Sequence, residues 1–306
     1  MSQLRTDTKH GPRSMASPDA KARRPRRRQG SALGVRLGLL AVAATLLTGC
    51  AGFGGGSDSA SDSASDGGSP TAAKSEYGLV TDGVFTFALS GQLAPFSFYE
   101  DSKLTGFDVS IGTEVANRLN LKPNPSTGPF NTLLAGLQSG RYDAIVGSMT
   151  NTPERAKVAD FSDDYYKSGA FLWVKSGSPA QSIDGLKNAV VGVPLGSTFE
   201  AEMKKKANVK EVKTYESDMD ALNDVPTGRV DGAIVDKLVG AYTAKKANLQ
   251  VSMAGPALLD NSAAIPVRKQ HEKLLAAINK ALADMKADGT YTKISQQWFG
   301  IDIATP

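Results

Sequence analysis

Ser139-Gly140-Arg141-Tyr142-Asp143-Ala144-Ile145-Val146 recurs in composition and register some 88 positions later as Thr227-Gly228-Arg229-Val230-Asp231-Gly232-Ala233-Ile234. Each copy reads as the end of a helix, a glycine that turns the chain out of it, and a buried strand. Around both copies, strand-like and helix-like segments alternate. Residues 84–89, 170–174, 189–193 and 233–235 are short apolar runs of strand type, whereas residues 107–119, 130–137, 199–206 and 274–286 carry apolar side chains at helical spacing. The alternation predicts an α/β protein with largely parallel sheets. Two copies of one helix-to-strand unit predict two similar lobes, each a small open sheet, facing each other across a cleft. Helix-glycine-strand units also recur in any α/β protein, so the repeat by itself does not establish two lobes.

Ligands of open α/β sheets sit beyond the carboxyl ends of the strands. In the register of the repeat, the residues emerging there are Ser148 and Asp236. Beyond the first, Thr150-Asn151-Thr152-Pro153-Glu154-Arg155 runs into a helix capped by Thr152 or Asn151, with proline in its first turn. Glu154 suits a helix start, but Arg155 opposes the macrodipole. A guanidinium placed there beside a cleft points to an anion, since its planar fork matches a carboxylate. A surface pair with Asp160 or Asp163 also accounts for it. In the second unit Gly196-Ser197-Thr198 follows a strand and opens a helix, presenting backbone N–H groups and two hydroxyls. Helix capping alone explains Ser197 or Thr198 equally well. The Asp236 carboxylate can hold an ammonium, or can be an ordinary exposed loop acid. Arginine on one lobe and aspartate on the other form the charge pattern expected for an α-amino acid zwitterion. Phe130 reads as an apolar wall of the same cleft or as core.

The amino terminus has a different character. Ten Lys/Arg against two acids precede Cys50, the single cysteine of the chain, and residues 33–47 are apolar with one arginine. Leu47-Thr48-Gly49-Cys50 looks like a lipobox, so residues 1–49 read as a secretory signal and Cys50 as the site of lipidation, a covalent anchor on the outer face of the cytoplasmic membrane. Arg26-Arg27 hints at twin-arginine export, but Gln29-Gly30 follow where an apolar residue is expected. Without residues 1–49 the balance becomes 25 basic against 29 acidic residues, a net charge of −4, which offers nucleic acid nothing. Residues 50–76 are Gly, Ser, Asp and Ala for the most part and read as a flexible tether reaching about 25–30 Å. Its Gly54-Gly55-Gly56 has no Gly-Lys-Ser/Thr ending, so no phosphate loop is expected there.

Taken in order, several motifs resemble the bacterial extracellular solute-binding proteins of family 3, the amino-acid receptors of ABC importers. They are Ala94-Pro95-Phe96, Gly106-Phe107-Asp108-Val109-Ser110-Ile111 with Val115-Ala116, and Thr152-Pro153-Glu154-Arg155. Asp160-Phe161-Ser162 with Tyr165-Tyr166, Gly228-Arg229-Val230-Asp231, Asp288-Gly289-Thr290-Tyr291 and Trp298-Phe299-Gly300 complete the set. The resemblance runs from Tyr77 to Gly300. It implies a two-lobe periplasmic-binding-protein fold of class II type: one lobe of residues 77–166 and 263–306, a second of residues 167–262, two hinge strands between them, and a monomer that delivers its ligand to an ABC permease. It implies that Arg155 pairs with the ligand α-carboxylate, helped by the backbone N–H of Thr150 and Thr198 in the Gly196–Thr198 turn. Asp236 and the Ser148 carbonyl would take the α-ammonium, and Phe130 would form a pocket wall. Leu93 stands where relatives often have an aromatic, and Ser90 where some have an aspartate that reads a cationic side chain. Both departures argue against arginine, lysine and histidine as ligands.

The same fold is used by enzymes such as cyclohexadienyl dehydratases, and by adhesins or sensory subunits. Cys50 reads as the anchor, His10 lies in the leader and His271 reads as a solvated helix start, so neither a Ser-His-Asp nor a Cys-His mechanism is expected. No His/Cys spacing suits a metal, and no cofactor is expected.

Overall fold

The computed structural model describes residues 76–304. Residues 1–75, and with them the signal, Cys50 and nearly all of the tether, lie outside the described residues. In chain order the elements are β1 (Val84–Leu89), β2 (Gln92–Leu93), β3 (Ser97–Glu100), β4 (Lys103–Thr105), α1 (Phe107–Arg118), β5 (Lys122–Thr127), α2 (Phe130–Gln138), β6 (Ala144–Ile145), α3 (Pro153–Ala156) and β7 (Ala159–Phe161). They continue with β8 (Tyr166–Lys175), β9 (Ala189–Pro194), α4 (Thr198–Met203), β10 (Val209–Tyr215), α5 (Asp218–Thr227), β11 (Gly232–Asp236), α6 (Lys237–Lys246), β12 (Val251–Ala263), β13 (Pro266–Arg268), α7 (Glu272–Ala287) and α8 (Thr290–Phe299). α4 stops at Met203 rather than at Lys206 as the sequence suggests, and Pro226 lies inside the last turn of α5.

Two five-stranded sheets have the same plan, in the orders β5-β1-β6-β13-β7 and β10-β9-β11-β8-β12. In each, four strands run parallel and one, β13 or β8, runs antiparallel to them. The sheets are thus largely parallel, as expected, with one antiparallel strand in each. Parallel neighbours need a crossover, and α1, α2, α4 and α5 supply these. The antiparallel strand of each sheet is the one entered directly from the other sheet: β8 follows β7, and β13 follows β12. β8 leaves the first sheet for the second, β12 returns, and the two pair from Tyr166↔Ala263 onward because they travel in opposite directions.

The repeat is a structural duplication. Gly140 and Gly228 both take left-handed φ, 75° and 74°, where the helices end. The aspartate that follows then does the same work in both copies. Asp143 donates its N–H to the Thr86 carbonyl and accepts the Thr86 N–H on its carboxylate, at 2.8 Å each. Asp231 exchanges the same pair of bonds with Val190, again at 2.8 Å. A side-chain oxygen thus extends the parallel ladder by one rung where the strand begins.

Both faces of each sheet are covered. On β1, Phe85, Phe87 and Leu89 turn toward Ile111, Ile278, Leu282 and Tyr291, while Ala88 joins Leu133, Leu137, Tyr142 and Ile145 on the opposite face. On β11, Ile234 meets Val191, Phe199 and Met203, while Ala233 and Val235 meet Trp173, Leu222 and Val225. Burial on two faces explains why these strands read as unbroken apolar runs. It also leaves the strand ends as the place where polar groups gather.

Candidate functional site

One cavity collects residues from the carboxyl ends of parallel strands of both sheets. After β1 come Ser90, Gln92 and Leu93; after β6, Ser148 and Thr150; after β9, Leu195, Ser197 and Thr198; and Asp236 ends β11. Phe130 opens α2, Arg155 sits in α3, and Tyr166 and Asn261 come from the two strands that pass between the sheets. Of the residues expected from the sequence, all but Gly196 line the cavity, and the Gly196 carbonyl accepts a hydrogen bond from Arg155. Gly196 has φ +75°, and a Cβ there would lie 2.9 Å from that of Asn131, so the loop after β9 is closed tightly on the start of α2.

Thr152 caps α3, its hydroxyl accepting the Arg155 N–H at 3.2 Å, and Pro153 fills the first helical position. The guanidinium then reaches inward. It donates to the carbonyls of Thr150 at 2.8 Å and Gly196 at 3.1 Å, and lies over the Phe130 ring with 5.6 Å to its centroid. Among the described residues no carboxylate pairs with it, and Asp160 is taken by Lys269 at 2.5 Å. Burial lowers the Arg155 pKa, although a guanidinium remains charged. A half-buried cation held by two carbonyls keeps donors for an anion.

Asp236 is not an exposed loop acid: it is 4 % exposed. One oxygen caps α6, accepting from the N–H of Leu238 at 2.8 Å and of Val239 at 3.4 Å, and the other accepts from Asn261 Nδ2 at 2.9 Å. Burial pushes its pKa up against these bonds. Asn261 Oδ1 in turn accepts from Thr150 Oγ1 at 2.7 Å, and the Thr150 carbonyl holds Arg155. The acid and the guanidinium are thereby tied through Asn261 and Thr150. Asn261 was not anticipated, since a single polar residue inside a strand of mixed pattern carries no signal.

Ser148 takes left-handed φ, 55°. Its hydroxyl donates to Asp108 at 2.9 Å, its N–H to the Tyr165 hydroxyl at 2.9 Å, and that hydroxyl donates to Asp108 at 2.7 Å. With hydroxyl and amide committed, the carbonyl is the polar group Ser148 can offer to the cavity. Asp108 is fully buried, and burial pushes its pKa up to about 7 despite the two donors.

Sequence reasoning missed Asp218. Glu216-Ser217-Asp218-Met219-Asp220 reads as a serine cap followed by acids that suit a helix start, and the cap is real, with Ser217 Oγ accepting the Asp220 N–H at 3.1 Å. Yet Asp218 lines the cavity and is 7 % exposed; burial first, and the charge of Asp236 second, push its pKa up to about 7. The cavity wall thus carries one cation, Arg155, and three carboxylates, Glu216, Asp218 and Asp236.

His271 is part-buried rather than solvated: its Nδ1 lies 3.2 Å from the Tyr77 carbonyl, its Nε2 accepts from Arg268 at 3.0 Å, and it does not line the cavity. Among the described residues no group of His, Cys, Asp and Glu is arranged to hold a metal ion. No helix among them is long and apolar enough to cross a membrane.

Residues 85–301 match the model of the bacterial extracellular solute-binding proteins, family 3, and the chain belongs to that family. Among its relatives, the L-cystine-binding protein TcyJ of Escherichia coli (strain K12) is 35 % identical over 224 residues, which cover 72 % of this chain and 84 % of that protein. The solved structure of an ancestral arginine-binding protein bound to glutamine superposes with a TM-score of 0.68 at 37 % identity, over 72 % of this chain and 99 % of that one. The ancestral amino acid-binding protein AncCDT-1, a precursor of cyclohexadienyl dehydratase, gives 0.66 at 32 % identity over 71 % and 96 %. The fold is thus the two-lobe one, and the family is one of binding proteins rather than enzymes.

Proposed function

We propose that this protein is the amino-acid receptor of an ABC importer and that it holds the ligand as a zwitterion between Arg155 and Asp236. The observation that carries the reading is the placement of these two opposite charges, from different sheets, on one cavity and in one hydrogen-bond network through Thr150 and Asn261. Arg155 takes the α-carboxylate as a fork, with the backbone N–H of Thr150 and Thr198 beside it. Asp236 and the Ser148 carbonyl take the α-ammonium, and Phe130 and Leu93 border the side chain. Residues 77–166 with 263–306 act as one lobe and residues 167–262 as the other, hinged where β7 leads to β8 and β12 to β13. Ligand between the lobes favours the closed form, which the permease recognises. Cys50 anchors the chain outside the membrane through the tether, and Cys50→Ser abolishes lipid labelling if that is so.

The test is an unfolding screen against α-amino acids. A ligand at about 100 times its Kd raises stability by about 2.7 kcal/mol. Arg155→Ala removes the shift, because a carboxylate left buried without its partner costs about 2–5 kcal/mol. If the wild-type protein shows no shift with any α-amino acid, the reading fails.

A further inference from the structure

We infer that Asp218 reads the ligand side chain, and that it selects an α-amino acid carrying a second cationic group. The inference rests on the zwitterion reading, which commits Arg155 and Asp236 to the α-carboxylate and α-ammonium and leaves Asp218 without a task.

Three observations lead to it. First, Asp218 is 7 % exposed and lines the cavity, yet among the described residues nothing donates to its carboxylate except its own backbone N–H. Asp236, by comparison, accepts from two amides and from Asn261. A buried carboxylate without donors is unfavourable unless a cation or a proton reaches it. Secondly, among the described residues Arg155 is the only cationic one on the cavity wall, against three carboxylates. A neutral zwitterion matches Arg155 with its carboxylate and Asp236 with its ammonium, and changes nothing at Asp218. A side-chain ammonium or guanidinium does. Thirdly, Asp218 opens α5, which packs on the sheet that carries Asp236, while Ser90 and Leu93 line the same cavity after β1 of the other sheet. The absence of an acid at Ser90 therefore does not leave the site without a partner for a cationic side chain, because an acid reaches the cavity from the facing sheet. The sequence-based argument against lysine and arginine is reversed on this ground.

The test compares two pairs of ligands that differ in the side-chain charge, L-lysine with L-norleucine and L-ornithine with L-norvaline, by calorimetry on the purified protein. In at least one pair the cationic member binds tighter by about tenfold or more, and Asp218→Asn brings that ratio below about threefold while the neutral member keeps its affinity. Asp218→Ser serves the same comparison should the asparagine variant unfold. A wild-type preference for the neutral members, or a ratio that survives loss of the Asp218 carboxylate, overturns the inference. Neutral members that bind and lose affinity on Arg155→Ala would then leave the zwitterion reading standing. A wild-type protein that binds no member of either pair and no other α-amino acid overturns both.

Discussion

Asp108 and Asp218 bind a proton more tightly in the folded protein than in the unfolded chain. Both are pushed up to about 7, by burial in each case and by the charge of Asp236 as well for Asp218. An unfolded aspartate titrates near 3.9. Between those values the native state binds more protons than the unfolded one, so stability is greatest at the acid end of the window and is lost as pH rises through about 7. Burial pushes Asp143 and Asp236 in the same direction. Asp224 and Asp288, held down to about 2 by hydrogen bonds to Tyr215 and Thr290 first and by cations second, titrate below the window and leave it undisturbed. The ligand-free protein should therefore have a lower urea midpoint at pH 8 than at pH 5, each of the two acids contributing at most about 3 kcal/mol over that range. Asp218→Asn should flatten the profile. A midpoint that rises from pH 5 to pH 8 would contradict the placement of both acids.

At the scale of elements, the two aspartates of the repeat offer a comparison within one molecule. Asp143 is 1 % exposed and satisfies two backbone N–H groups, Val80 at 2.6 Å and Thr86 at 2.8 Å, whereas Asp231 is exposed and satisfies one. Leaving a buried donor unpaired costs about 1–3 kcal/mol, and losing an exposed hydrogen bond about 0.5–1.5. Asp143→Ala should thus destabilise the protein by about 2–5 kcal/mol and Asp231→Ala by about 1, read by chemical denaturation. Equal losses would show that the duplication is one of backbone alone. The sequence displays the helix-glycine-strand order of both copies, because left-handed glycines and doubly buried strands leave a local signature. It does not display the ladder bond, because an aspartate after Gly-Arg-x looks the same whether it caps a strand or faces water. The Thr152 cap and Pro153 marked α3, and with it Arg155, for the same local reason. Asp218 stayed hidden because its local pattern is satisfied by helix capping, and only packing of α5 against the cavity makes it a buried acid. The one antiparallel strand of each sheet is likewise illegible, being set by the path of the chain between sheets rather than by any periodicity.

For the whole molecule, the site is a consequence of duplication. Two sheets of one plan turn their strand ends toward each other, so that Arg155 and Asp236, from different sheets, line one cavity. Contacts between the sheets hold this arrangement: Arg155 reaches the Gly196 carbonyl, Gly196 lies against Asn131, and Lys246 pairs with Glu100 at 3.4 Å. The last of these is exposed and adds little. The first two lie beside the cavity, so filling it bears directly on closure. The claim that an α-amino acid is held at both ends is tested most directly by blocking each end in turn. Once an amino acid is found to bind, its methyl ester and its N-acetyl derivative are titrated by calorimetry beside the parent. Each should lose about 2 kcal/mol or more, roughly thirtyfold in Kd, because the ester leaves Arg155 without an anion and the amide leaves Asp236 without a cation. Blocked ligands that both bind within about threefold of the parent would contradict the account.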